Sequence, residues 1–365
     1  MRRVSVQLVG PTSLTKTDTI PNFGSPSAIN PSTNKFYLAV AKGNYTVGGP
    51  AYDIVVYSTL NDTVVADIPI GSQVEHIAVD SVNNFVYVTR SDGNVTVIDC
   101  TNDTVNAVVP VGIEPTGVDI DPGLNLAYVA NAGDTKISVI SGPVRSGNTA
   151  TAATPAGNIA GLLPLGPLAV DPVKHLAYAV VAGPTAEPGT VNYSLAVIQG
   201  NAGGSTTLVN TFSYIPAGTS ATLSANAISV DTTSGRVAIA DTVDTNMQVY
   251  DPAAQAFSTY SFAFHPATLA VDSTSEHVFL TDGYGNVGFA DLTSGYSEQI
   301  HTKDTSPPAT GRALTRFSCI CLTACLKRRW HRQSHSATRW DNPALQAATL
   351  RLPWIQRPTA PGFRI

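Results

Sequence analysis

The feature that most constrains this chain is a cycle that recurs six times. Each turn begins with a small apolar run ending in Asp or Asn: Ala28-Ile29-Asn30-Pro31, Ile77 to Asp80, Val118 to Asp121-Pro122, Leu168 to Asp171-Pro172, Ile228 to Asp231, and Leu269 to Asp272. The closing Asp/Asn residues, called anchors below, stand 50, 41, 50, 60 and 41 residues apart. Short Val-rich strands separated by Gly/Asn/Asp turns, at periods of about 40–45 residues, mark four-stranded propeller blades. Longer intervals need only loop insertions.

Within each cycle the pattern predicts a second strand and then a third. The second strands are expected around Phe36 to Val40, Val86 to Thr89, Leu126 to Ala130, Leu176 to Val181, Val237 to Ala240 and Val278 to Thr281. The third are expected around Ile54, Val95, Ile137, Leu195, Met247 and Val287. Several third strands are apolar at successive positions, as at Val95, Val97 and Ile98, which suits a strand covered on both faces. Outer strands such as Thr104 to Val109 alternate with polar residues. Gly-rich excursions at Gly43 to Pro50, Gly183 to Thr190 and Asn201 to Ser205 read as surface loops, as does the longer stretch 141–161. Near the N-terminus, Val4 to Leu8 and Leu14 to Ile20 read as two strands of a further blade. The expected fold class is therefore an all-β propeller of four-stranded antiparallel blades: six recognisable blades plus N-terminal strands of a seventh. Propellers often close by pairing the chain's two ends in one blade, which removes an open sheet edge.

Charge divides the chain near Ile300. Residues 1–300 carry ten Lys/Arg against twenty-four Asp/Glu, a net of −14; residues 301–365 carry eleven against two, a net of +9. The second segment also holds three of the four cysteines and all three tryptophans, with no anchor or aromatic strand. The expected domains are a propeller at 1–300 and a non-propeller, basic, Cys/Trp-containing tail at 301–365. Two readings of that tail compete: a segment foreign to the fold, as a shifted reading frame would leave it, or a basic interaction tail. The acidic body argues against nucleic acid as its partner. No apolar run reaches 18 residues, so no membrane span is expected. Met1-Arg2-Arg3 resembles the basic start of a signal peptide, but the apolar stretch after it is short and broken by Gln7.

Tyr87-Val88-Thr89-Arg90 and Tyr128-Val129-Ala130-Asn131 carry a more specific pattern. It is completed by Asn94 to Asp99 and by Val109-Pro110-Val111-Gly112-Ile113-Glu114-Pro115. In these stretches the chain resembles the YVTN-repeat β-propeller family over roughly residues 4–300. That resemblance implies a structural role for the motif residues and no single chemistry. It also implies an extracytoplasmic protein, since members are often bacterial periplasmic or surface proteins. The tail departs from the family pattern.

Side chains just before each first strand stand where the loops converge on the propeller axis, and they are the expected ligand-facing set. They are Ser25, Glu75, His76, Glu114, Thr116, Asn226, His265 and Thr268. The carboxylate and imidazole of Glu75-His76 could serve acid–base or metal chemistry. The plainer reading makes them hydrated rim residues, because adjacent side chains on a strand point to opposite faces. No catalytic residue and no cofactor is assigned. Residues 1–300 lack tryptophan, which excludes a WD-type repeat and weakens sugar stacking. In the tail, Cys319, Cys321, Cys325, His331 and His335 could ligate zinc, against the plainer reading of incidental residues in an unstructured segment. Cys100 stands alone in the body, so no disulfide framework is expected. The function these features support is a monomeric, non-catalytic scaffold presenting loop surfaces to a protein or small-molecule ligand. The alternative is a lactonase-like hydrolase acting at the channel mouth.

Overall fold

A computed structural model describes residues 5–9, 16–21, 26–46, 49–184, 191–213, 225–241, 245–282 and 286–301. The chain divides into two compact units. In the unit formed by Met1–Phe23 and Cys325–Ile365, the described residues are an antiparallel strand pair, Ser5–Val9 with Lys16–Pro21. The repeats lie in the other unit, Gly24–Ala324.

Among its described residues that unit holds six four-stranded antiparallel sheets, each an up-and-down meander, interrupted in blade 3 by a small separate hairpin between the third and fourth strands. Blade 1 is Ser27–Asn30, Lys35–Thr46, Gly49–Ser58 and Val64–Pro69. Blade 2 is Val74–Asp80, Phe85–Arg90, Asn94–Asp99 and Thr104–Pro110. Blade 3 is Pro115–Asp121, Leu126–Asn131, Lys136–Ser141 and Thr154–Ala160. Blade 4 is Leu163–Asp171, Leu176–Pro184, Val191–Gly200 and Thr206–Ser213. Blade 5 is Ala225–Val230, Val237–Asp241, Asn246–Asp251 and Ala256–Ser261, and blade 6 is Thr268–Asp272, His277–Thr281, Asn286–Asp291 and Ser297–His301. First strands pack against first strands in chain order from blade 1 to blade 6, as expected of blades set around an axis.

The core is divided among the seams between blades. Tyr37, Ile54 and Val56 of blade 1 pack with Val86, Val88 and Ile98 of blade 2. Tyr87, Val95 and Val97 meet Val118, Val129 and Ile140. Tyr128, Ile137 and Val139 meet Leu168, Ala179 and Ile198. Tyr178 and Leu195 meet Val237, Ile239 and Tyr250, and the last seam joins Met247 and Val249 to Val278 and Leu280. The second strands of blades 2 to 5 therefore bury both faces, one in each seam. At about 1.5–3 kcal/mol per fully buried large apolar side chain, stacking is the dominant stabilising term.

The aromatic of the second strand falls seven residues after the anchor, and it reaches across the seam. Its counterpart in the next blade is the residue just past the third strand. A Cβ added at Gly142 would strike the Tyr87 hydroxyl, and one at Gly200 would strike that of Tyr128. At blade 5 the aromatic gives way to Ala238, and the same core cluster in blade 6 carries the larger Leu292. Volume is thus conserved across the seam.

The anchors close the first hairpin of each blade. All six are buried. Asp80 accepts from the N–H groups of Val82 (3.0 Å) and Asn83 (2.8 Å), and Asp171 from those of Val173 and Lys174. Four residues after each anchor the backbone turns left-handed, at Asn34, Asn84, Asn125, His175, Gly235 and Glu276. A short side chain accepting from the turn, plus one left-handed residue, defines this hairpin. Asp99, Asp251 and Asp291 cap the hairpin between the third and fourth strands of their blades in the same way.

Three insertions differ from simple loops. Gly43 to Pro50 and Gly183 to Thr190 lengthen hairpins, with strand pairing continuing past Lys42 to Thr46 and past Ala182 to Pro184. Residues 142–153 form a small hairpin, Arg145–Ser146 with Thr149–Ala150, that straps blade 3 to blade 2. Arg145 there donates to Asp99 (2.7 Å) and lies over the Phe85 ring. Burial pushes the Asp99 carboxyl up, but the Arg145 and Thr101 hydrogen bonds outweigh it and hold the group below its usual range. Asn106 of blade 2 holds it as well, donating to Thr151 O (3.0 Å) and accepting from Ala153 N–H (3.2 Å).

Candidate functional site

The two ends of the blades are built differently. One carries the anchored hairpins just described. The other, the connector end, carries the links from each outer strand to the next first strand, together with the second-to-third strand turns. The segment 111–114 spans two blades: Val111 N–H donates to Gly93 O (2.9 Å) in blade 2, while Ala132 N–H of blade 3 donates to Glu114 O (2.8 Å). Asn131 fixes the joint from inside. Its Nδ2 donates to Lys136 O (3.0 Å) and Ser138 Oγ (3.1 Å), and its Oδ1 accepts from Gly112 N–H (3.0 Å). Gly112 is required, since a Cβ there would overlap Asn131.

First strands in four blades shift register against the second strand, and in three of them the extra residue is a sequence-predicted site residue; in blade 4 the shift lies between Pro164 and Leu168, where none was predicted. In blade 2 the register passes from Val74↔Arg90 to His76↔Thr89, leaving Glu75 as the extra residue. In blade 3 it passes from Pro115↔Asn131 to Gly117↔Ala130, leaving Thr116; in blade 5 the extra residue is Asn226. Bulges re-aim side chains and are over-represented beside functional sites. Glu75, His76 and Thr116 are half-buried, while Glu114 and His265 are exposed. Glu114 holds a left-handed backbone, φ 51°. The Thr116 hydroxyl donates across the seam to Gly166 O (3.3 Å), and Thr268 shares a hydrogen bond with Thr281 (2.9 Å). Ser25, the Asn226 side chain and the tail residues Cys319, Cys321, Cys325, His331 and His335 lie outside the described residues. The described members Glu75, His76, Glu114, Thr116, His265 and Thr268 stand at or beside the starts of first strands. Among the described residues no three His, Cys, Asp or Glu side chains cluster closely enough to hold a metal ion.

One acid that sequence reasoning passed over joins the first strands of blades 3 and 4. Asp119 sits in the first strand of blade 3, two residues before its anchor. Its Oδ1 accepts from Ile120 N–H (2.9 Å), and its Oδ2 from Val170 N–H (2.8 Å) in the first strand of blade 4. The carboxylate is half-buried. Burial pushes its pKa up to about 6 despite the two backbone hydrogen bonds. Aligning the repeats would have exposed it: the same position holds Ala28, Ala78, Ala169, Ser229 and Ala270 elsewhere.

Stacked four-stranded meanders in chain order define a β-propeller, and solved structures agree. The chain is similar to Kuenenia stuttgartiensis hydrazine synthase, at 17% identity and a TM-score of 0.53, over 72% of this chain and 75% of that one. It is similar to a functionally unknown protein from Desulfotomaculum acetoxidans DSM 771, at 15% identity and a TM-score of 0.51, over 72% and 82%. It is also similar to dihydro-heme d1 dehydrogenase NirN in complex with DHE, at 12% identity and a TM-score of 0.57, over 84% of this chain and 64% of that one. At such identities the likeness is one of fold. No family model and no curated protein sequence matches the chain. Among the described residues no helix is long and apolar enough to cross a membrane.

Proposed function

We propose that this propeller is a non-catalytic scaffold of the YVTN-repeat kind, whose connector end receives a protein or small-molecule ligand outside the cytoplasm. One observation carries the reading. The side chains that recur from blade to blade are committed to holding the fold: the anchors to their turns and the tyrosines to the seams. Those at the connector end instead change chemistry from blade to blade, through Glu75-His76, Glu114-Thr116, Asn226 and His265, and three of them stand on bulges. A rigid frame with varied side chains at one end is how repeat folds build specific surfaces. His301 closes the outer strand of blade 6, and the tail after it is proposed to lie outside this scaffold.

Protein-observed NMR with a fragment library tests it. Shifts should map to the connector end, and the combined Glu75→Ala, Glu114→Ala and His265→Ala variant should lose them while melting within about 2 °C of wild type. Shifts confined to the hairpin end would refute the reading. Metal-dependent opening of a sugar lactone by the wild-type protein would replace it with a hydrolase.

A further inference from the structure

The insertion of blade 3 does more than strap two blades together. In the other five blades four or five residues join the third strand to the fourth, against twelve here. With the first hairpins of blades 2 and 3, the inserted residues line a cleft of about 380 Å³. Three carboxamides line it, Asn83 and Asn84 of blade 2 and Asn125 of blade 3, together with Arg145 of the strap. Val82 and Val144 line it too, and they are 70% and 62% exposed.

Hydrogen-bonding capacity is left over in these side chains. Asn83 uses its Nδ2 on Asp80 (2.7 Å), and Asn84 uses its Oδ1 to accept from Asn30 (3.2 Å). That leaves an acceptor, Asn83 Oδ1, and a donor, Asn84 Nδ2, without partners among the described residues. Asn125 donates to Gly142 O (2.9 Å) and Pro143 O (3.1 Å), yet its Oδ1 is buried with no partner, as is Arg145 Nε. The Tyr87 hydroxyl is a third such group, and it borders the same spot as Asn125 Oδ1, where a Cβ on Gly142 would fall. Buried polar atoms without partners are costly to hold, and a bound molecule relieves that cost. A single water takes about 30 Å³, far less than this cleft.

We propose that this cleft binds an uncharged sugar ring, at a site separate from the connector end. The ligand is uncharged because no Asp, Glu, Lys or His lines the cleft and Arg145 is already paired with Asp99. An ion would find no free counter-charge there. Adjacent ring hydroxyls each donate and accept, which matches the two acceptors and two donors left on neighbouring side chains. The exposed Val82 and Val144 offer apolar surface to the C–H face of the ring. Residues 1–300 hold no tryptophan for stacking, so the expected affinity is millimolar. A strap that only stapled blade 3 to blade 2 would need Arg145 on Asp99 and the Asn106 bonds, and no cleft.

The test titrates the full chain with the methyl α-D-pyranosides of glucose, mannose and galactose, with glycerol and sodium phosphate as separate arms. Binding is read from the backbone amide resonances of Asn84 and Val144. At least one glycoside should move both saturably, while glycerol and phosphate should move neither at equal concentration. Val82→Ser combined with Val144→Ser changes two exposed side chains, so it should melt within about 2 °C of wild type. It should bind the glycoside about fivefold or more weakly. Asn125→Gly keeps the left-handed backbone of its turn, φ 55°, and should weaken binding as much. The Glu75→Ala, Glu114→Ala, His265→Ala variant should bind the glycoside as wild type does, so this proposal and the connector-end reading fail separately. No response to any of the three glycosides overturns the proposal, as does a response undiminished in the folded Val82→Ser, Val144→Ser variant. A phosphate response at these amides overturns the uncharged class, and an equal response to glycerol overturns the sugar ring.

Discussion

The two ends of this propeller meet the same requirement, closing strands into blades, by opposite means. At the hairpin end, six buried anchors and six left-handed residues repeat at fixed offsets, and every blade makes nearly the same turn. At the connector end, equivalent positions differ. Asn131 of blade 3 is buried and clamps Gly112, while its counterpart in blade 2, Arg90, turns outward to pair with Asp92 and leaves Gly71 with open space around it. Repetition therefore marks what the fold needs, and departure from it marks where the chain is free to specialise. Asp119 is the clearest departure inside the barrel of first strands.

The sharpest way to break this contrast is at the two matched glycines. Gly112→Ala forces a methyl into Asn131 and should destabilise the protein by about 3 kcal/mol in urea unfolding. At Gly71 nothing lies near the added methyl, and only the left-handed backbone, φ 76°, resists it. Gly71→Ala is the smallest effect expected here, about 1 kcal/mol.

Between these lie two intermediate effects. Asp119→Asn should stabilise the protein by about 1–2 kcal/mol at pH 7.5. Its folded pKa, about 6, lies above the ordinary carboxylate range near 4, so between these values the folded state holds the proton more tightly than the unfolded one. Wild-type stability from this group is full below pH 4 and is lost as pH rises through 6. The Asn variant should lack that decline, less one weakened N–H bond. Unfolding curves at pH 4.5 and 7.5 check the sign: a variant less stable than wild type at the higher pH would contradict it. Arg145→Ala removes the pair with Asp99 and the stacking on Phe85, and should cost about 1–1.5 kcal/mol. Proteolysis should then cut within residues 142–153 sooner than in wild type.

Much of this was legible in the sequence, because a propeller repeats its own instructions. The anchors, aromatic strands and third strands are short-range signals, and each appears where the spacing of the repeats predicts it. The sequence reading put Glu75, Thr116 and Asn226 just before the first strands, whereas each is the second residue of its first strand. It could not show that each is the extra residue of a bulge, since a bulge is a property of two strands in register. The Arg145 strap was illegible for a related reason: its partners, Asp99 and Phe85, are 46 and 60 residues away and on another blade. Asp119 was hidden in plain view, inside an anchor run whose closing Asp drew the attention. Its chemistry depends on Val170, which only the closed stack brings within 2.8 Å.

The most direct test of the division between a fixed end and a free end compares urea unfolding of Asp80→Ala with that of Glu114→Ala. Asp80 accepts from Val82 N–H, Asn83 N–H and Asn83 Nδ2, so its loss strands buried donors and should cost about 2–4 kcal/mol. Glu114 is exposed, and its loss should change stability by less than about 0.5 kcal/mol. Equal costs for the two substitutions, or the larger cost at Glu114, would contradict the account.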